Sequence, residues 1–118
     1  MESINQIRLR GRIGSVRTSD LSEGRKVCSF SVGIDSVYRN QENVIVENTD
    51  WFRCSVWSGK KFPNFDGINV GTVVDVTGRV RNVKYTTQDG VDHASWDVTV
   101  TDLEFPNPSE RLTPICSL

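Results

Sequence analysis

Apolar and polar residues alternate from Ile7 to Ile13. Ile7, Leu9 and Ile13 share one side and Arg8, Arg10 and Arg12 the other, the period-two pattern of a half-buried strand. Gly11 stands on the apolar side, where a missing side chain permits a bend or a close backbone approach. Residues 18–24 read as a polar turn. Cys28, Phe30, Val32 and Ile34 then alternate with Ser29, Ser31 and Gly33 as a second strand, and residues 35–49 read as a long polar connection. A third strand is predicted from Asp50 to Trp57 and a fourth from Thr72 to Arg81, with Val74, Val76 and Val80 facing inward. Gln88-Asp89-Gly90 signals a hairpin turn. The fifth strand sets Ala94, Trp96, Val98 and Val100 on one side; Leu103 and Phe105 break that parity, which predicts a bulge near Thr101 or Asp102. Pro106 and Pro108 stop the sheet, so the reading is one folded domain over residues 1–106 and a short flexible tail over 107–118.

Five strands with an insertion between the third and fourth predict an all-β, five-stranded Greek-key barrel, the OB-fold. Pro63 opens and Gly67 cuts short a broken helical insertion within Lys60–Gly67. Composition agrees: Val, Ile and Thr number 32 of the 118 residues against seven for Ala, Leu and Met, which favours a pleated sheet over a helical bundle. Net charge is −1, so any attraction for an anionic ligand must come from a local basic face. Cys28, Cys54 and Cys116 are odd in number and widely spaced, which indicates neither a disulfide framework nor a zinc knuckle and fits a reducing, cytoplasmic setting. No 18-residue apolar run and no signal-like N-terminus stands in the chain, so neither a membrane span nor export is expected.

The third strand carries the candidate chemistry. Its even positions, Phe52, Cys54 and Val56, suit a core, whereas Trp51, Arg53, Ser55 and Trp57 fall on the polar side. Two tryptophans around an arginine are an unusual way to build a solvated face. Flat rings offer surfaces on which unpaired bases stack, and the intervening cation reaches phosphates. A capping ring and a subunit contact are the plain alternatives for the two tryptophans. Tyr38 lies beside Arg39, and Tyr85 beside Lys84. Arg79, Arg81 and Tyr85 share one parity and extend the same face, whereas the Arg8, Arg10, Arg12 stripe is either a phosphate track or a solvated strand face. His93, beside the hairpin turn, reads as an exposed residue, and the scattered acids offer no carboxylate cluster for a metal-dependent nuclease. No catalysis and no cofactor is expected. A secreted sugar-binding OB module is disfavoured by the three cysteines.

Several blocks carry a resemblance. Residues Ile4-Asn5-Gln6-Ile7-Arg8-Leu9-Arg10-Gly11-Arg12-Ile13-Gly14 resemble the opening strand of the bacterial single-stranded DNA-binding protein family. Thr49-Asp50-Trp51-Phe52-Arg53 is similar to its T-E-W-H-R block, Val74-Asp75-Val76-Thr77-Gly78-Arg79-Val80-Arg81 to its V-Y-I-E-G-x-L-R block, and Gln88-Asp89-Gly90 falls at its D-Q-x-G turn. The resemblance implies base-stacking rings at Tyr38, Trp51, Trp57 and Tyr85, with Arg53 on the ligand face. Lys60 and Lys61 fall near a family lysine. With Arg79, Arg81 and Lys84 these residues make up the candidate site for nucleic acid.

The implied function is non-sequence-specific binding and protection of single-stranded DNA in replication, repair and recombination, by a nucleoid-associated homotetramer or, failing that, a dimer. Residues 4–9 are the candidate dimer seam and Phe52 a second contact. The alternative within the same fold is a dimer resembling primosomal replication protein N, which bridges replication-restart proteins and relies more on basic loops. Three departures from the family stand out: Phe52 replaces its usual histidine, Pro63 and Gly67 interrupt its helix, and its acidic C-terminal tip, which recruits replication and repair proteins, has no counterpart after Glu110.

Overall fold

The computed structural model describes residues 1–107 and 112–117. The alternating segments become five long strands: β1 (Ile7–Asp20), β2 (Lys26–Arg39), β3 (Ile45–Trp57), β4 (Val73–Thr86) and β5 (Asp92–Glu104). They run in the order β1-β4-β5-β3-β2, and β2 returns to pair with β1, so the sheet closes on itself. β3 and β5 are parallel through Arg53–Ser55 and Asp97–Thr99, and the other barrel pairs are antiparallel. This is the five-stranded OB barrel.

β1 serves both edges of the closure. Its first half pairs with β4, its second with β2, and Arg12 is shared between Val73 and Gly33. The crossing is tight: a Cβ on Gly11 would stand 2.3 Å from the Gly33 carbonyl oxygen. The anticipated bulge is present on β5, where Thr77 pairs with Asp102 and Gly78 with Val100, leaving Thr101 as the extra residue. A second bulge leaves Gly14 unpaired between Ile13↔Val32 and Ser15↔Ser31. Inside, Ile13, Phe30, Val32, Cys54, Val56, Val74, Val76 and Val98 are each at most 2% exposed.

Besides extending β1 through Asp20, into the expected turn, and β4 to Thr86, beyond the expected end at Arg81, the structure departs from the expected elements at three places. Residues 35–49 are mostly strand: β2 and β3 stay in register out to Arg39↔Ile45, around a turn in which the Asn40 side chain accepts from the backbone of Glu42 and Val44. The arm stands clear of the barrel, both faces meet water, and the apolar alternation that marks a strand is therefore missing. The insertion between β3 and β4 holds no helix. Gly67 and Gly71 take φ of +89° and +88°, which breaks any helical path, and the segment instead buries Ile68 with half-buried Phe62 and Phe65 against the core. Among the described residues the one helical turn is 3₁₀, Ser22–Gly24. Finally, part of the expected loose tail is ordered: β6 (Ile115–Ser117) pairs in parallel with Ser36–Tyr38. Beyond Gly33 that edge of β2 is not used by β1, and an open row of N–H and C=O groups is a template for another strand. Residues 108–111 and 118 of the expected tail lie outside the described residues.

Candidate nucleic-acid interface

Strand register assembles the polar side of β3 into a face. Arg53 pairs with Asp97, which pairs with Arg81; one step along, Ser55, Thr99 and Arg79 form the next row. Trp51 and Trp57 stand at the two ends of this stretch, 52% and 48% exposed. Trp51 owes its position to residues that lack side chains. Its six-membered ring lies over Gly14 and Gly33, where a Cβ would come within 2.3 Å and 2.8 Å of it. Arg12 sets its guanidinium carbon 5.6 Å from the ring centroid, a cation–π contact. Arg12 is itself held by Asp35, whose second oxygen accepts from the Thr49 hydroxyl at 2.7 Å. The Thr49 hydrogen bond, followed by that of Arg12, keeps the Asp35 carboxyl below its ordinary range. Arg17, Ser29, Ser31 and Arg53 continue from Trp51 along a shallow groove.

The remaining candidates are distributed differently. Tyr85 lies farther along the β4–β5 hairpin on the parity of Arg79 and Arg81, 49% exposed and stacked on His93. Tyr38 is on the opposite parity of β2 from Gly33, hence on the other face of its arm from Trp51, next to β6. Lys84 likewise falls on the reverse of the β4–β5 hairpin, paired with Ala94. Lys60 is exposed in the insertion, and Lys61 forms an ion pair with Asp102. One face thus gathers Trp51, Arg53, Trp57, Arg79, Arg81 and Tyr85, whereas Tyr38, Lys60, Lys61 and Lys84 lie around it. The arginine stripe on β1 is committed to carboxylates: Arg8 and Arg10 both bind Asp75, at 2.9 and 2.8 Å, as Arg12 binds Asp35. Asp75 is 4% exposed, and the Arg8 hydrogen bonds, ahead of those from Arg10, hold its carboxyl low.

Several residues of this face escape a reading by sequence. The polar parity of Arg12 was visible, but its place beside Trp51 depends on the β1–β2 pairing and the Gly14 bulge. That bulge also turns Arg17 to the side of Ser29. Asp97, between Arg53 and Arg81, sets an acid inside the basic rows. Trp96 shares a parity with buried Val98, yet it is 65% exposed because the hairpin has left the barrel by that point. Among the described residues, no group of three or more His, Cys, Asp or Glu side chains is placed to hold a metal ion.

Barrel and face together define an OB-fold protein with an aromatic and arginine-rich sheet surface. The chain belongs to the Single-strand binding protein family, whose model matches residues 4–106. It is 26% identical over 105 residues to a single-stranded DNA-binding protein of Neisseria meningitidis serogroup A, covering 86% of this chain and 59% of that relative. A Staphylococcus epidermidis protein of the same description is 28% identical over 109 residues, covering 92% and 80%. The chain thus spans about three-fifths of the length of the Neisseria relative. Among solved structures, a Plasmodium falciparum SSB in complex with ssDNA matches with a TM-score of 0.79 at 26% identity, over 91% of this chain and 98% of that one.

Proposed function

We propose that the protein binds single-stranded DNA with little sequence preference and so coats and protects exposed strands in replication, repair and recombination. The observation that carries this reading is the Trp51 ring, held half-exposed over Gly14 and Gly33 in line with Arg53 and Trp57. Unpaired bases stack on Trp51, Trp57 and Tyr85, while Arg53, Arg79 and Arg81 neutralise phosphates. Tyr38, Lys60, Lys61 and Lys84 meet the strand as it leaves the face. Stacking needs no particular base, because every base has a flat apolar surface. The work is adhesion and calls for no catalytic group. A cytoplasmic setting and assembly into a homotetramer belong to the same proposal.

Titration with oligo-dT tests it. Binding is expected to quench tryptophan fluorescence, and Trp51→Ala and Trp57→Ala are each expected to lose about 1–3 kcal/mol of binding free energy. Unchanged affinity in a folded double variant would end this reading.

A further inference from the structure

His93 is the one histidine of the chain, and the sequence alone marks it only as an exposed residue near a turn. The fold gives it a specific neighbour. In the β4–β5 hairpin it pairs directly with Tyr85, and the two rings stack with centroids 5.2 Å apart and planes 16° from parallel. Both residues are exposed, on the parity that carries Arg79 and Arg81. The pair is therefore a plate two rings wide rather than a single tyrosine. An imidazole also gains a proton between about pH 5 and pH 8, which no other ring on this face does.

We propose that His93 is part of the single-stranded DNA surface: it widens the Tyr85 platform as a neutral ring and, once protonated, contacts a backbone phosphate. The inference rests on the single-stranded DNA reading of the sheet face. The charged groups around His93 come from both strands and the turn. From β4 these are Lys84 and, two rows away, Arg81; from β5 they are Asp92 and Asp97. Asp92 accepts from the Thr86 hydroxyl at 2.8 Å, and Asp89 in the turn accepts from the Thr87 hydroxyl and from the Val91 backbone. No salt bridge joins any of these three carboxylates to His93 among the described residues. Among those residues, no carboxylate contact thus competes with a phosphate for its ring nitrogens. By linkage, DNA that favours the charged imidazole draws a proton onto it, so affinity rises as pH falls.

The test is oligo-dT affinity at fixed ionic strength from about pH 8 to about pH 6, a window in which imidazole titrates and thymine and phosphodiester groups do not. For the unaltered chain the affinity is expected to rise about two- to fivefold, the yield of one exposed cationic contact. His93→Gln is expected to flatten the profile and bind more weakly throughout. His93→Phe, which keeps a ring beside Tyr85, is expected to bind more tightly than His93→Gln at the alkaline end and to lack the acid rise. Calorimetry in buffers of different ionisation enthalpy is expected to show proton uptake on binding that both substitutions abolish. A rise that persists in His93→Gln, or an unaltered chain with a flat profile, would overturn the inference while leaving the sheet face intact. Failure of the unaltered chain to bind oligo-dT at any pH would instead overturn the function on which it rests.

Discussion

Trp51 shows how an exposed ring is fixed by what lies beneath it. Because Gly14 and Gly33 offer bare backbone, the indole can lie close to the sheet and keep half its surface in water. Gly14→Ala places a methyl where the ring now sits. The ring can swing away, so the barrel should keep its thermal midpoint, but the platform is displaced. We expect oligo-dT binding to weaken by as much as the roughly 1–3 kcal/mol of one base stack, measured beside an unfolding curve that barely moves. The cysteines give a second expectation at this scale. Burial pushes the Cys54 thiol up to about 12 and raises that of Cys28, whereas Cys116 on β6 is exposed. A maleimide mass tag should therefore modify one thiol in the native protein and three after denaturation. Residue placement was legible wherever parity alone decides it, as for Trp51, Arg53 and Trp57 on the polar side of β3. Arg12 and His93 were not, since their partners come from other strands.

At the scale of elements, the barrel strands were readable from one buried face, and the arms were not, because neither side of them is buried. The broken helix expected after Trp57 failed for a local reason: two glycines at positive φ and a proline leave too few residues for helical turns. Between β1 and β4 the ladder is reinforced by one carboxylate shared by two guanidinium groups, Asp75 with Arg8 and Arg10. The folded Asp75 carboxyl is lower than its unfolded value, so between the two values the unfolded chain binds more protons. Its stabilisation is complete above about pH 4, the ordinary carboxylate range, and is lost as pH falls below it. Chemical denaturation followed from neutral into acid should show that decline, and Asp75→Asn should show less of it from a lower starting stability.

Charge and assembly belong to the whole molecule. With a net charge of −1, the proposed attraction for DNA has to come from the arginine rows. One barrel offers a short track, and the proposed homotetramer would multiply it. The edge of β1 over residues 7–11 that faces away from β4 is not paired with β2, whose ladder to β1 starts at Arg12. Leu112–Ile115 borders a cleft there with Arg8–Gly11. Pairing two copies along this edge brings Arg8 and Arg10 of each close together, and the Asp75 carboxylate offsets the repulsion. Light scattering at micromolar concentration should report four times the 13.3 kDa of one chain, and a monomer mass would refute the assembly. The number of strands and the insertion point were enough to suggest the barrel. Its closure through a doubly paired β1 is a long-range relation that no local pattern encodes.

That double pairing also orders events in time. A chain leaving the ribosome can zip β2 to β3, and the second half of β1 to β2, as neighbouring hairpins. The first half of β1 must wait for β4, since Arg8 and Asp75 are 67 positions apart. At about 5–20 residues per second, that interval lasts several seconds during synthesis. Throughout it, Ile7, Leu9 and the unsatisfied backbone of β1 stay open to solvent and to other nascent chains. Barrel closure is therefore expected to be the late, slow event of folding, because it joins distant segments.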